Sequence, residues 1–248
     1  MAEMNLRPED VLHRSYLNRT LIEIVDQPYM AHALVFKGGT CASMLGYLDR
    51  FSIDLDFDVL LGADEEKLCP GFLDAFKRLG LELMAAFDQV LLFQLKYPNA
   101  PGKRNKLKVS ANTLYAHANE YKVQYFPDVD RLINSQTIET MFANKLVAVQ
   151  DHYAQHGTIA SRDIYDMHHF LVQGYSYNPA VIRERTGLEP AVFLKELVAF
   201  IRENVTQRVI NEDLNTLLPQ QKFQSIRKVL IPETLSLLER EERKNSEQ

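Results

Sequence analysis

Phe36-Lys37-Gly38-Gly39-Thr40, followed after a short apolar segment by Arg50-Phe51-Ser52-Ile53-Asp54-Leu55-Asp56-Phe57-Asp58, is the stretch that decides how this chain is read. Ala33-Leu34-Val35-Phe36 has the continuous apolar texture of a buried strand. The glycine pair behind it permits positive φ and close approach of a ligand, and Thr40 is placed to cap a helix over Cys41 to Leu48. Backbone N–H groups and a positive helix end then meet where an anion can sit. From Ile53 to Val59 apolar and acidic residues alternate, so Ile53, Leu55, Phe57 and Val59 are expected on the core face and Asp54, Asp56 and Asp58 on the other. Aspartate is a poor strand former, and carboxylates repeated on one strand face repel one another. A hard, oxygen-ligated divalent cation such as Mg²⁺ answers that repulsion and would also neutralise a nucleotide's phosphates. Taken singly, a Gly-Gly turn or an acidic strand face is ordinary surface structure; joined in one compact unit, they point to phosphate and metal chemistry.

Composition sets the frame around this motif. The chain has 248 residues, 46% of them hydrophobic, enough for one large domain or two small ones. A net charge of −5 argues against a globally basic nucleic-acid binder and leaves room for a local basic groove. The two cysteines, Cys41 and Cys69, lack metal-type spacing and read as reduced thiols. Met1 to Leu6 lacks signal-peptide architecture and no apolar run is long enough to span a bilayer, so the expectation is a soluble, cytoplasmic protein with no membrane partner.

Residues 8 to 27 are expected to form a helix, with Pro8 early, Glu9 and Asp10 as first-turn acids, and Val11, Leu12, Leu17, Leu21, Ile22 and Ile24 as its buried contributors. After the acidic strand, Glu65 to Ala86 carries helical periodicity broken near Cys69-Pro70-Gly71. Strands are expected at Val90 to Tyr97, Lys106 to Ala111 and Tyr121 to Phe126, separated by Pro98 to Gly102 and Ala116 to Glu120. Beyond Phe126 the period becomes helical over Ile138–His152, Arg162–Gln173, Pro190–Glu203 and Pro219–Leu230. A boundary near Pro127 divides a mixed α/β part, residues 1–126, from a helical part, residues 127–248, whose charged end from Glu239 reads as a solvated helix and tail.

The pattern Lys37-Gly38-Gly39-Thr40, a helix, then Arg50-Phe51-Ser52-x-Asp54-Leu55-Asp56-Phe57 resembles the signature of the AbiEii/AbiGii-type nucleotidyltransferases, toxin components of bacterial type IV toxin–antitoxin and phage-abortive systems. These belong to the DNA polymerase β-like nucleotidyltransferase superfamily. Residues 30 to 60 carry the specific match, and later motifs extend it to about residue 173. The resemblance implies an α/β (α+β) fold: a nucleotidyltransferase-type mixed sheet with flanking helices, then a helical C-terminal domain that brings Lys145 and Asp166 to the cleft. It implies that Lys37, Gly38, Gly39 and Thr40, with Arg50 and Ser52, hold a nucleoside triphosphate. Asp54 and Asp56 would then bind Mg²⁺ and direct an acceptor hydroxyl, on RNA such as tRNA, at the α-phosphate. A cognate antitoxin is the implied protein partner.

Two further segments fit that resemblance. Lys145 lies among small and apolar residues in Glu139 to Ala148, where its own context reads as a lysine snorkelling from the core edge. The resemblance instead assigns it to nucleotide phosphate. Ser161-Arg162-Asp163-Ile164-Tyr165-Asp166-Met167 looks like the family's Arg-Asp-x-x-Asp segment, with Asp163 and Asp166 on one helical face. Asp163 also suits a first-turn acid, and Asp166 is the stronger functional candidate, positioning Lys145 or the acceptor.

One departure stands out. The superfamily places a third metal-binding carboxylate on a central strand, and the matching segment, Lys106-Leu107-Lys108-Val109-Ser110-Ala111-Asn112, has none, with Ser110 nearest the expected place. Three outcomes are open: a reduced site served by Asp54 and Asp56, recruitment of Asp58, or a nucleotide-binding regulatory module that is catalytically silent. Lys106 and Lys108 suit phosphate or RNA. His152 and His156 read as a surface pair, and His168-His169 as structural. No Gly-x-Ser-x-Gly elbow or Gly-x₄-Gly-Lys-Ser/Thr loop occurs, which removes hydrolase and P-loop readings.

Overall fold

The computed structural model describes residues 8–87, 91–113, 116–215 and 217–246. They form two compact units, the first of described residues up to 113 together with 121–136, the second of 116–120 together with the described residues from 137 to 246. The sequence boundary near Pro127 falls earlier than this division, because Arg131–Gln136 is a strand that pairs with Tyr121–Phe126 and keeps both in the first unit.

In the first unit, α1 (Pro8–Val25) opens the described chain, and its buried stripe runs through His13, Leu17, Thr20, Leu21 and Ile24. That is one face of a helix. Leu17, Leu21 and Ile24 lie on it as expected, Leu12 and Ile22 are half-buried, and Val11 is 54% exposed. A short helix not expected from the sequence, α2 (Pro28–Ala33), starts on Pro28 and leads into β1 (Leu34–Lys37), α3 (Gly38–Met44) and β2 (Asp54–Val59). The helix α4 (Glu65–Arg78) runs unbroken through Pro70. Proline there removes one hydrogen bond, to the carbonyl of exposed Glu66, which water can replace. α4 stops at Arg78, and the rest of the helix expected to reach Ala86 falls instead in the strand β3 (Glu82–Phe87). The remaining strands are β4 (Leu92–Lys96), β5 (Lys106–Asn112), β6 (Tyr121–Phe126) and β7 (Arg131–Gln136). Val90, the expected start of the fourth strand, lies outside the described residues, as do Met1 to Leu6.

The seven strands form one mixed sheet in the order β3-β4-β5-β2-β1-β7-β6. β2 runs antiparallel to β1 and parallel to β5, which puts the acidic strand at the middle of the sheet. Its core-side residues Leu55, Phe57 and Val59 are buried, and Phe57 joins Phe36, Phe72 of α4 and Phe93 in an aromatic cluster. Burial of each such side chain contributes about 1.5–3 kcal/mol, which offsets the poor strand propensity of the alternating aspartates.

The second unit is helical: α5 (Ile138–His156), α6 (Ser161–Gln173), α7 (Pro179–Thr186), α8 (Pro190–Asn204), α9 (Gln207–Leu214), α10 (Gln220–Ile226) and α11 (Leu230–Ser246). Thr137 caps α5 by accepting from the Thr140 N–H at 3.2 Å. The segment 116–120 belongs here because Glu184 accepts from the N–H groups of His117 and Ala118, and Thr140 Oγ1 from that of Glu120. The helix expected over Pro219–Leu230 resolves into α10 and the start of α11. Among the described residues no helix is long and apolar enough to cross a membrane.

Candidate active site

The turn between β1 and α3 is built without side-chain bulk. Gly38 has φ +78°, and a Cβ there would lie 2.9 Å from Asp56 Oδ2. A Cβ on Gly39 would lie 2.8 Å from Arg50 Nη2 and 3.0 Å from Ser52 Oγ. The left-handed backbone favours glycine at Gly38, and at both positions a side chain would press on the ends of Asp56, Arg50 and Ser52. The helix begins at Gly38, with Lys37 as N-cap and no capping side chain, so the expected Thr40 cap on a helix over Cys41 to Leu48 is not formed. Thr40 instead lies in the first turn and donates its hydroxyl to the Asp54 carbonyl at 2.5 Å, tying the turn to the start of β2. Arg50, 2% exposed, donates from Nη1 to the Phe51 carbonyl at 3.0 Å. Burial pushes the Cys41 thiol well above its ordinary pKa and keeps it protonated.

Asp54, Asp56 and Asp58 share one face of β2, as their period requires, but their surroundings differ. Asp58 is buried, ion-paired with Lys37, and accepts from Gln136 Nε2 at 2.6 Å and the Tyr121 hydroxyl at 3.4 Å. A buried carboxylate so enclosed has its charge answered by neighbouring side chains, and Lys37 is directed at it. Asp56 sits between β1 and β5: opposite Lys37 on one side and Ser110 on the other. Its Oδ1 accepts from Ser110 Oγ at 2.6 Å. Asp54 is opposite Lys108. The face of β5 beside these acids carries Lys106, Lys108, Ser110 and Asn112, in agreement with the sequence reading that no third carboxylate is present.

These donors fit a small hard cation. Two carboxylates at i and i+2 on a rigid central strand, with hydroxyl and backbone oxygens around them, suit Mg²⁺, which binds through one or two carboxylates and completes its shell with water and substrate phosphate. Among the described residues no group of three or more His, Cys, Asp and Glu gathers in the manner of an all-protein metal cage.

His13 was not singled out by sequence reasoning. Its Nε2 lies 2.9 Å from the Ile53 carbonyl and its Nδ1 2.8 Å from the Tyr97 hydroxyl. Burial pushes its pKa down to about 4, so the ring is neutral at pH 7. A carbonyl can only accept, so Nε2 carries the proton, and Nδ1 shares the single Tyr97 hydroxyl proton with the Arg104 carbonyl, which lies 2.9 Å from the same oxygen. His13 thereby fixes the residue that immediately precedes Asp54. The available signal was its position on the buried stripe of α1, in phase with Leu17, Leu21 and Ile24.

In the second unit α5 and α6 bring Lys145, Asp163 and Asp166 together. Lys145 Nζ lies 2.6 Å from Asp163 Oδ1 and 3.0 Å from Asp166 Oδ2, and Asp166 is fully buried. Lys145 is thus a half-buried ion-pair partner rather than a solvent-seeking lysine, and Asp163 does more than stabilise a helix start. Four further histidines meet neighbouring side chains: His168 lies 2.9 Å from Glu233, His169 stacks on Tyr165, and His152 and His156 face one another.

No curated protein matches the chain. Three solved structures share its fold across nearly the whole length. JHP933 from Helicobacter pylori is 20% identical, covers 97% of this chain and 97% of its own, with TM-score 0.55. A putative nucleotidyltransferase from H. pylori is 20% identical over 95% of this chain and 98% of its own, with TM-score 0.56. The nucleotidyltransferase toxin MenT4 from Mycobacterium tuberculosis H37Rv is 16% identical over 96% of this chain and 89% of its own, with TM-score 0.55. At these identities the likeness establishes the nucleotidyltransferase-type fold expected from the sequence. The family described as "Nucleotidyl transferase AbiEii toxin, Type IV TA system" matches residues 19–236, which include the glycine turn, the acidic strand and the Lys145–Asp163–Asp166 cluster. The chain therefore belongs to the AbiEii family of nucleotidyltransferase toxins of type IV toxin–antitoxin systems.

Proposed function

We propose that this nucleotidyltransferase moves a nucleotidyl group from a nucleoside triphosphate to a hydroxyl of RNA, with tRNA as the first acceptor to test, in a Mg²⁺-dependent reaction in the cytoplasm. The observation that carries the reading is the apposition of Gly38 to Asp56: a backbone turn that has given up its side chains lies directly against a carboxylate pair. In this reading the N–H groups of Gly38, Gly39 and Thr40 bind the outer phosphates, backed by the charge of Arg50, and Ser52 lines the turn. Asp54 and Asp56 hold the metal, which when bound offsets charge on the phosphoryl oxygens. His13 and Thr40 keep the start of β2 in place, Lys145 takes triphosphate charge, and Asp166 with Asp163 sets its position. Lys37 acts by fixing Asp58 beside the site. The acceptor oxygen bonds to the α-phosphorus as the bond to pyrophosphate breaks, and the hydroxyl proton is lost to water. A cognate antitoxin is the proposed partner.

The reading is tested by incubating the protein with each labelled triphosphate, Mg²⁺ and total RNA; labelled RNA supports it, and its absence with every triphosphate defeats it. One observation favours a second reading. Ser110 donates to Asp56 where the superfamily would place an acid. A nucleotide-binding regulatory module would show triphosphate and Mg²⁺ binding with no product under the same conditions.

A further inference from the structure

On the other side of Asp54 from the glycine turn lies a cavity of about 680 Å³. Its lining includes Asp54, Met84, Lys103, Arg104, Lys106 and Lys108, a concentration of cations in a chain whose net charge is −5. Arg104 is partly neutralised by Asp10 at 3.8 Å and lies over the Phe51 ring. Among the described residues, Lys106 and Lys108 have no ion-pair partner. Lys106 also stands directly across the ladder from Lys96, which is itself drawn to Glu82 at 3.7 Å. Like charges directly opposite on neighbouring strands are destabilising. A sheet that keeps this pair beside an open cavity is suited to an anion.

The order of the strands says which anion. β2 lies between β1 and β5, so the glycine turn after β1 and the lysines of β5 flank the Asp54–Asp56 pair from opposite sides. In-line displacement at phosphorus puts the entering oxygen opposite the leaving pyrophosphate. With the donor's outer phosphates at Gly38 and Gly39, the acceptor must come from the β5 side. Lys106 and Lys108 are two residues apart on one strand, about 6.6 Å, which allows each to take a separate phosphate.

We infer that the cavity lined by Lys103, Arg104, Lys106 and Lys108 is the acceptor subsite, holding the phosphate backbone of a single-stranded RNA end so that its terminal hydroxyl meets the nucleotide at Asp54. This inference rests on the transfer reading for its purpose but not for its test. Binding is phosphate-led, so it carries a salt dependence and little base preference.

The test is fluorescence anisotropy of a labelled ten-nucleotide single-stranded RNA, with the full 248-residue chain and its Lys106→Ala/Lys108→Ala variant, across a salt series. The expected result is binding by the parent chain, at least tenfold weaker binding by the variant, and a log–log salt slope shallower by about 1.4, the share of two phosphates. Affinity for the nucleoside triphosphate, measured separately, stays within twofold, and matched thermal midpoints show that the variant folds. No RNA binding by the parent chain, or equal affinity and slope in the variant, overturns the inference. Label transferred to a protein fraction, with loss in the same variant, would assign the cavity to an acidic protein acceptor and overturn it equally. RNA binding lost in the variant without labelled RNA ever forming would keep the subsite and defeat the transfer reading.

Discussion

Ser110 donates its hydroxyl to Asp56 Oδ1 over 2.6 Å, from the position directly across the β2–β5 ladder. A carboxylate there would stand within hydrogen-bond reach of Asp56 and repel it unless a cation intervenes. Ser110→Asp should therefore lower the thermal midpoint measured without divalent ions by roughly 4–8 °C, equivalent to about 2 kcal/mol. Added Mg²⁺ should raise the variant's midpoint by more than it raises that of the parent. An equal Mg²⁺ response in the two proteins would remove the metal from Asp56.

Asp54→Asn and Asp56→Asn keep side-chain shape on a rigid central strand while deleting a charge. Each is expected to reduce nucleotidyl transfer by at least about 100-fold, with an unfolding midpoint close to that of the parent. Retained transfer in either variant, at matched protein and Mg²⁺ concentrations, would defeat the assignment.

Gly38 and Gly80 offer a controlled comparison, since both have positive φ, +78° and +64°, but a Cβ meets nothing within 4 Å at Gly80 and Asp56 Oδ2 at 2.9 Å at Gly38. Gly80→Ala should cost about 1–2 kcal/mol from backbone conformation alone and leave transfer intact. Gly38→Ala should cost more in denaturant titration and abolish transfer as well. If both variants behaved alike, the apposition of the turn to Asp56 would have no functional weight.

The parts of this fold legible in the sequence are those where a period and a charge pattern coincide. Asp54, Asp56 and Asp58 announce their face because Leu55, Phe57 and Val59 between them are buried. β3 was not legible: Glu82 to Phe87 is built largely of good helix formers and is mostly exposed, and its pairing with β4 makes it a strand. β7 was hidden for a related reason, since Phe36↔Ser135 pairs residues far apart in sequence. The glycine turn and the acids were legible as chemistry, but the different fates of Asp56 and Asp58 depend on Lys37, Gln136 and Tyr121 converging on the latter. Lys145 looked like a snorkelling lysine because its partners are on another helix.

His13 makes a prediction about pH. Its pKa is pushed down to about 4 in the folded protein, against 6.5 for an unperturbed histidine. Between those values the unfolded chain takes up a proton that the folded chain refuses, so stability is lost as pH falls through this window. The histidine's share of that loss should be on the order of 2–3 kcal/mol. His13→Gln, compared with the parent in urea at pH 7 and pH 4.5, should show a smaller difference between the two. An unchanged difference would mean that His13 is not held neutral between Ile53 and Tyr97.

Lys145 carries the last prediction, and its ion pairs determine how it must be tested. Lys145→Ala strands Asp163 and the fully buried Asp166 without their cation, a loss expected to cost about 3–5 kcal/mol. Weak nucleotide binding by that variant alone would therefore not distinguish phosphate recognition from partial unfolding. Asp166→Asn in the same chain removes one stranded charge, so the double variant should be less destabilised than the sum of its singles by about 0.5–3 kcal/mol. Affinities for a nucleoside triphosphate and the corresponding monophosphate can then be compared in Asp166→Asn with and without Lys145→Ala, in the presence of Mg²⁺. If Lys145 meets the outer phosphates, its removal should weaken the triphosphate by about tenfold or more, the scale of a charge-assisted hydrogen bond, and leave the monophosphate nearly unchanged. Equal losses for both nucleotides would leave Lys145 as the structural partner of Asp163 and Asp166 and take it out of the nucleotide site.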